Sequence, residues 1–398
     1  MVNSKNTSAT GLDFLSFSQL LRIAATLSFI IISFGSLVRA ASAGLACPDW
    51  PLCFGELVPT FDYQIFLEWF HRLLAGCLAI LLIFSAIKLS RNRLLRKSLG
   101  LQLFVCVFLL SVQIVLGGLT VLKLLDAKTV AAHLINAILF FTVLVWMAVR
   151  SRQMGLQLTE GIKAGWPKDP TRTTKQSQSR IGFPASFSRL RKITLTLCCL
   201  VFLQLAVGGM VSTNYAGLAC PDFPRCHGQW IPPLNFHLWI QMVHRLLGFC
   251  IVLFSIPVAF SGSRSMKSME GGFPYNGGSS TRLTKASLKR IVFMRKTFCA
   301  IPFMVAIQIG IGILNIAYFL PTSVTVTHLA NAVAIYALLL MMVVYLYEPI
   351  FRSDWEIMIS STQPHKTTFQ KPYDGAHKQG DLSHGQAPGH LPHSSPHL

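Results

Sequence analysis

Charge is what this sequence lacks. Only 13% of its 398 residues are charged, and only 15 are Asp or Glu against 35 Lys and Arg. That charge content is about half that of a soluble protein, and with 52% hydrophobic residues it excludes an ordinary water-soluble domain. Basic residues are themselves nearly missing from 40–65, 213–237 and 320–324, and the short stretch 123–129 holds only Lys123 and Lys128. They gather instead in Lys88-Arg91-Arg93-Arg96-Lys97, in Arg150 to Lys192 and in Arg264 to Lys296. A net charge of +20 distributed this way argues against a nucleic-acid face and follows the positive-inside rule. The start, MVNSKNTSATGLDF, lacks the Arg-rich amphipathic pattern of a mitochondrial transit peptide. It also lacks a small-residue cleavage site after a short apolar core, so the first apolar run is expected to be kept.

What is present is a series of apolar runs of about 20 residues, each long enough to cross a bilayer as a helix. The runs lie near 18–39, 66–88, 99–122, 130–149, 193–212, 238–260, 298–319 and 325–347. The charge alternation puts both termini and the basic loops in the cytoplasm, and puts the loops that hold two cysteines each in an oxidising compartment outside.

Those loops reveal a repeat. Gly44-Leu45-Ala46-Cys47-Pro48-Asp49 returns as Gly217-Leu218-Ala219-Cys220-Pro221-Asp222, and Cys53 and His71 return as Cys226 and His244, all 173 positions on. The expected fold is therefore all-α and integral to the membrane: eight transmembrane helices in two tandem-duplicated four-helix bundles, related by a pseudo-two-fold axis along the membrane normal. The expected divisions are a cytoplasmic N-terminus (1–17), a first bundle (18–150), a flexible cytoplasmic linker (151–192), a second bundle (193–348) with a flexible loop at 261–296, and a disordered His-containing tail (349–398). Scattered His in that tail allows adventitious metal binding.

Two prolines and flanking glycines make each cysteine loop compact. Three readings of its thiols stay open. They are disulfide staples, worth only about 2 kcal/mol for so short a ring; a redox-active pair; or a four-Cys zinc site, whose thiolates would have to survive oxidation.

A histidine inside an apolar span is a functional candidate, and there are four. His71 and His133 sit about 5–8 Å below the outer boundary on spans that run the same way, and His244 and His328 repeat them. Gln113 precedes His133 by 20 residues, as Gln308 precedes His328. Two imidazoles facing each other across a four-helix bundle suit a six-coordinate heme. Zinc would want a third ligand, and none recurs at that depth. Gly117-Gly118 and Gly208-Gly209 allow close approach of a helix or of a flat macrocycle. Arg72 and Arg245 either meet heme propionates or snorkel to headgroups. Asn136 and Asn331 read as helix-packing residues. Glu68, three residues before His71 and so on its face, is replaced by Gln241 in the second copy. A carboxylate accepts a proton or stabilises a developing cation where an amide does neither well.

The ordered set of Gly-Leu-Ala-Cys-Pro-Asp loops, Glu68-Trp69-Phe70-His71-Arg72, His133-Leu134-Ile135-Asn136-Ala137, Met242-Val243-His244-Arg245-Leu246 and His328-Leu329-Ala330-Asn331-Ala332 resembles the heme A synthase family over about residues 18–347. The resemblance implies an oxidoreductase that converts a methyl group of heme O to a formyl group, giving heme A for terminal oxidases. It implies His71 and His133 as ligands of the substrate heme and His244 and His328 as ligands of a heme b cofactor. It further implies Glu68 as the acidic catalytic residue, with the Cys47/Cys53 pair linked to catalysis and Cys220/Cys226 as a second pair. A bacterial plasma membrane is expected over a mitochondrial inner membrane. Membrane lipid, heme O synthase and cytochrome oxidase assembly factors are the implied partners, and a homo-oligomer is compatible with the sequence. The rival from another class is a diheme b-type electron carrier with no chemistry on either heme.

Overall fold

The computed structural model describes residues 4–60, 62–163, 185–270 and 285–347. These form eight long helices: α1 (Ser4–Ala40), α2 (Tyr63–Arg91), α3 (Arg93–Leu122), α4 (Ala127–Lys163), α5 (Ala185–Thr213), α6 (Phe236–Glu270), α7 (Lys285–Ala317) and α8 (Thr322–Tyr347). All eight are long and apolar enough to cross a membrane, and no extended strand occurs among the described residues. The protein is an eight-span, multi-pass membrane protein.

Helix boundaries follow from a few polar residues. Asp62 caps α2 by accepting from the Ile65 N–H. Asn92 does two jobs at the basic end. Its N–H closes α2 on the Leu89 carbonyl, and its side chain accepts from Leu94 and Leu95 to open α3, so two spans turn on one residue. Asp126 opens α4 by accepting from the Thr129 N–H and hydroxyl.

The packing divides the helices into an inner and an outer set. α1 runs along α4 and α5 along α8; α1 also meets α8, α5 meets α4, and α4 meets α8. α2 and α3 flank the first inner pair as α6 and α7 flank the second. Half of the most apolar stretch of α8 is buried inside the protein, against 17% of that of α3, so the outer helices turn most of their surface to lipid. Between the inner helices the Thr142 hydroxyl of α4 meets the Tyr336 hydroxyl of α8 at 2.8 Å, and Phe202 of α5 packs on the same tyrosine.

Three helices run further than the apolar runs suggest. α1 begins at Ser4 and α4 continues to Lys163, so helix replaces much of the expected N-terminal segment and the start of the expected linker. The reason is a close helix–helix seam beyond the apolar core. A Cβ on Gly155 would lie 2.9 Å from Leu15, and one on Gly11 would lie 2.8 Å from Thr159. Phe14 and Phe17 are fully buried there, and tight packing rather than lipid extends both helices. α6 likewise runs to Glu270. The centre of the expected linker, most of the 261–296 loop and the His-containing tail lie outside the described residues.

A second close contact yields a stability test. A Cβ on Gly262 of α6 would overlap the ring of Phe298 on α7, which is fully buried. Gly262→Ala should therefore destabilise the protein by about 1–3 kcal/mol. The expected readout is an earlier thermal unfolding transition in detergent, and an unchanged transition would contradict this packing.

Candidate functional site

Each of the four histidines rests on a glycine of the preceding helix. The Cε1 atoms of His71, His133, His244 and His328 lie 3.1, 3.3, 2.9 and 3.1 Å from where a Cβ would stand on Gly35, Gly117, Gly208 and Gly312. Those glycines belong to α1, α3, α5 and α7. The missing side chains let the imidazoles lie against backbone, which fixes their depth and direction.

Amides set the ring orientations. The Gln113 amide nitrogen is 3.2 Å from His133 Nε2, and the Asn136 amide donates to the Gln113 carbonyl oxygen at 2.7 Å. In the second half the Gln308 amide nitrogen is 3.1 Å from His328 Nδ1, with Asn331 donating to Gln308 at 2.8 Å. Asn136 and Asn331 also donate to the carbonyls of Leu109 and Met304, so these packing residues additionally orient the glutamines that touch the histidines. His71 and His133 interact electrostatically. The His244 and His328 ring centres are 6.4 Å apart at an interplanar angle of 58°. The Nδ1 atoms of His71, His133 and His244 are buried without a partner. Among the described residues no three His, Cys, Asp or Glu side chains come together as a metal site.

The cysteine loops sit over these histidines. Both pairs are disulfides, Cys47–Cys53 and Cys220–Cys226, and all four sulfur-bearing residues are buried. Each loop is tied by the same bonds. Asp49 accepts from the Phe54 and Gly55 N–H groups, and Asp222 accepts from those of His227 and Gly228. Arg72 donates to the carbonyls of Asp49, Leu52 and Cys47, as Arg245 does to those of Asp222, Arg225 and Cys220. Both guanidiniums are therefore turned into the loops, and neither points to lipid headgroups.

The two halves differ in charge beside this arginine. Glu68 is buried, its Oε1 is 2.6 Å from Arg72 and its Oε2 accepts from the Cys47 N–H at 2.9 Å. Gln241 donates instead to the Gly217 carbonyl, and its own oxygen is buried without a partner. Glu68 shares a helix face with both His71 and Arg72, and the ion pair decides which way its carboxylate turns. A further difference lies inside the loops. The Trp50 ring packs on Gly118 of α3, 3.1 Å from a Cβ placed there, one residue beyond the seat of His133. Its counterpart Phe223 packs on Phe249 and under Arg245.

A family model described as cytochrome oxidase assembly protein, COX15-CtaA, matches residues 18–273. The chain belongs to that family. The match takes in His71, His133, His244 and both cysteine loops; His328 lies beyond it and is tied to the family residues by its packing against His244. Similar proteins include a heme A synthase of Shewanella oneidensis, 28% identical over 233 residues that make up 54% of this chain and 62% of that protein. A heme A synthase of Halalkalibacterium halodurans is 27% identical over 56% of this chain and 68% of its own length. That of Bacillus licheniformis is 27% identical over 61% and 74%.

Two features of this family member escape the sequence pattern. Gln204 of α5 lies 3.4 Å from His244 Nε2 and donates to the His244 carbonyl at 3.0 Å, yet Ile31 stands at the matching place in the first half. Leu134, next to His133, packs across the halves on Gly209, 2.7 Å from a Cβ placed there. The Gly35–His71 seat has a signal in the chain, since the spacing of 36 residues recurs in Gly208–His244.

The loop aspartates carry a pH test. The Gly55 N–H, against the opposing effect of burial and with help from the Phe54 N–H, holds the Asp49 carboxyl below its usual range, and Gly228 and His227 do the same for Asp222. A carboxyl depressed on folding contributes stability above its unfolded value, near 3.8, and that contribution is lost as pH falls through the lower folded value. Protection of the first loop against proteolysis should hold at neutral pH and fail only below about pH 4. Asp49→Asn should remove that pH dependence. A loop that opens between pH 5 and 7 would contradict the assignment.

Proposed function

We propose that this protein is a heme A synthase, oxidising a methyl group of heme O to a formyl group in a bacterial plasma membrane with both termini in the cytoplasm. The 6.4 Å between the His244 and His328 ring centres carries the reading. With metal–imidazole bonds of about 2 Å, that separation would let both imidazoles reach a single iron. Buried, unpartnered imidazole nitrogens and a Cβ-free helix surface beside each ring fit a flat macrocycle. On this reading His244 and His328 hold heme b, which supplies a one-electron redox centre when bound. His71 and His133 hold the substrate heme O. The halves are a tandem duplication related by a pseudo-two-fold axis, with residues 18–150 the substrate half and 193–348 the cofactor half. Family membership and the heme A synthase relatives support the substrate and the reaction.

The chain's own residues divide the work. Gln113, held by Asn136, and Gln308, held by Asn331, orient His133 and His328. Gln204 adds a second amide on the cofactor side alone. Glu68 places one fixed negative charge in the substrate half, in contact with the Cys47–Cys53 loop. A carboxylate held on both oxygens is preorganised to stabilise positive charge developing at a substrate methyl group, an effect that is strong where water is excluded. Both oxygens are already engaged, one by Arg72 and one by the Cys47 N–H, so electrostatic stabilisation is preferred to general-base catalysis. Trp50 lies within the ring closed by Cys47–Cys53 and packs on Gly118, next to the Gly117 seat of His133, which links the redox state of that pair to the surroundings of His133.

Glu68→Gln tests the catalytic assignment. The second half shows that an arginine in this place is held by three carbonyls with an amide beside it, so the variant should fold and bind both hemes. Conversion should fall by a factor of about 10²–10³, the usual loss for one preorganised charge, with heme O or a hydroxylated intermediate extracted in place of heme A. Near-normal heme A would return Glu68 to a purely structural part.

Replacing the histidines one at a time tests the division of sites. Loss of His244 or His328 should deplete heme b from purified protein, while loss of His71 or His133 should abolish conversion and leave heme b in place. Equal depletion by both sets, with only heme b ever extracted, would favour a diheme electron carrier.

A further inference from the structure

The basic end of the first half holds a cavity that the heme chemistry does not use. Its volume is about 480 Å³, and it lies between α1, α2 and the first turn of α3. Leu20, Leu81, Phe84 and Ile87 form its apolar side. Phe84 and Ile87 are exposed, so this side opens toward lipid. Asp13, Lys88, Arg91 and Asn92 form its polar end. A cavity that is apolar along one side and charged at one end fits an amphiphile.

Helical spacing builds the polar end. Asp13, Ser16 and Leu20 fall on one stripe of α1, and Leu81, Phe84 and Lys88 fall on one stripe of α2. Two hydrogen bonds join the stripes like rungs. The Asn92 amide donates to the Asp13 carboxylate at 2.8 Å, and the Lys88 ammonium donates to the Ser16 hydroxyl at 2.6 Å. The rungs are three or four residues apart on each helix, so an anion and a cation stand about 5 Å apart along the axes. Each is held by a neutral neighbour, and among the described residues neither Asp13 nor Lys88 is in an ion pair. Two charges of opposite sign without counter-ions, on one wall beside apolar side chains, are costly to leave as they are. Asp13 is the only acid of α1, Glu68 at the far end is the only acid of α2, and α3 has none. α4, which carries Glu160, contributes no described side chain to the cavity.

We propose that this cavity binds the phosphoethanolamine headgroup of a membrane lipid, with Asp13 pairing the ammonium, Lys88 and Arg91 pairing the phosphate, and the apolar side holding the start of an acyl chain. The positive-inside rule accounts for Lys88 and Arg91 at this end. It does not account for Asp13, which an anionic headgroup would avoid and a primary ammonium would seek. Phosphoethanolamine carries its two charges two carbons apart, matching the one-turn spacing of the rungs, and both charges can form charge-assisted hydrogen bonds. The site has no twin. Ser186, Ser261 and Ser265 stand 173 positions beyond Asp13, Lys88 and Asn92, so the second half keeps the helices without the charges. The expected load is one lipid per chain, bound to the first half and independent of the heme assignment.

Native mass spectrometry of the full chain, extracted from vesicles with equal parts of phosphatidylethanolamine, phosphatidylglycerol and phosphatidylcholine of matched acyl chains, tests this. Wild-type protein should retain about one phosphatidylethanolamine in preference to both others. Phosphatidylcholine has the same charges but no N–H to give Asp13, and phosphatidylglycerol has the phosphate but no cation. Asp13→Asn keeps an acceptor for the Asn92 amide and removes the charge, so it should lower phosphatidylethanolamine retention by about tenfold and leave phosphatidylglycerol undiminished. Lys88→Ser, the residue of the second half, should lower retention of both. Arg264→Ser removes a basic charge at the matching end of the second half and should change nothing. A matching thermal transition for each variant shows that folding is intact, and the selectivity of the wild-type protein is decisive without any variant. Equal retention of the three lipids would leave only unselective boundary lipid, and preference for phosphatidylglycerol would make this a plain anion site. Unchanged phosphatidylethanolamine in both variants, or full displacement by millimolar free phosphoethanolamine, would likewise overturn the proposal, the last in favour of a soluble ligand.

Discussion

The contact on which the rest of the structure depends is an imidazole lying on bare backbone. A histidine in an apolar span is expensive to leave unpartnered, and its ring must be aimed as well as buried. Gly35, Gly117, Gly208 and Gly312 supply the aim by removing the one atom that would hold a neighbouring ring away. Each glycine sits on the helix before its histidine, so the four contacts also pin α1 to α2, α3 to α4, α5 to α6 and α7 to α8. Helices in lipid gain little from hydrophobic burial against one another. Close approach and a few hydrogen bonds hold the bundle, and the functional seats are among those close approaches.

Above the histidines the same loop is built twice and charged once. Asp49 and Asp222 close the turn, and Arg72 and Arg245 gather the loop carbonyls. A buried guanidinium needs either a counter-ion or several acceptors. The second half uses acceptors only; the first adds Glu68. The carboxylate is thus not required to hold the loop, which leaves its charge available for chemistry. Trp50 extends the difference by reaching α3, whereas Phe223 stays with its own half.

Much of this was legible in the chain. Eight apolar runs, the 173-residue offset and the four histidines follow from spacing alone, as does the contrast between Glu68 and Gln241. Three things were not. Helix ends were misjudged because hydropathy stops at the first charged residues, while Gly11 and Gly155 let α1 and α4 continue as a packed pair. Gln204 has no counterpart in the first half, so comparison of the copies passes over it. The direction of Glu68 was undetermined because His71 and Arg72 lie three and four residues away on one face, and only the pairing energy chooses between them.

Gly208 and Gly209 are neighbours with different tenants. The first seats His244, and the second receives Leu134, whose own neighbour is His133. One stretch of α5 backbone is therefore a shared wall between the site of His133 and the site of His244, with no side chain to act as a cushion. A displacement of His133 is transmitted through Leu134 to the glycine beside the His244 seat, and the reverse holds equally. The two sites are placed as two pans of one balance: whatever free energy a ligand of one would spend in moving that wall, a ligand of the other would meet in the same measure.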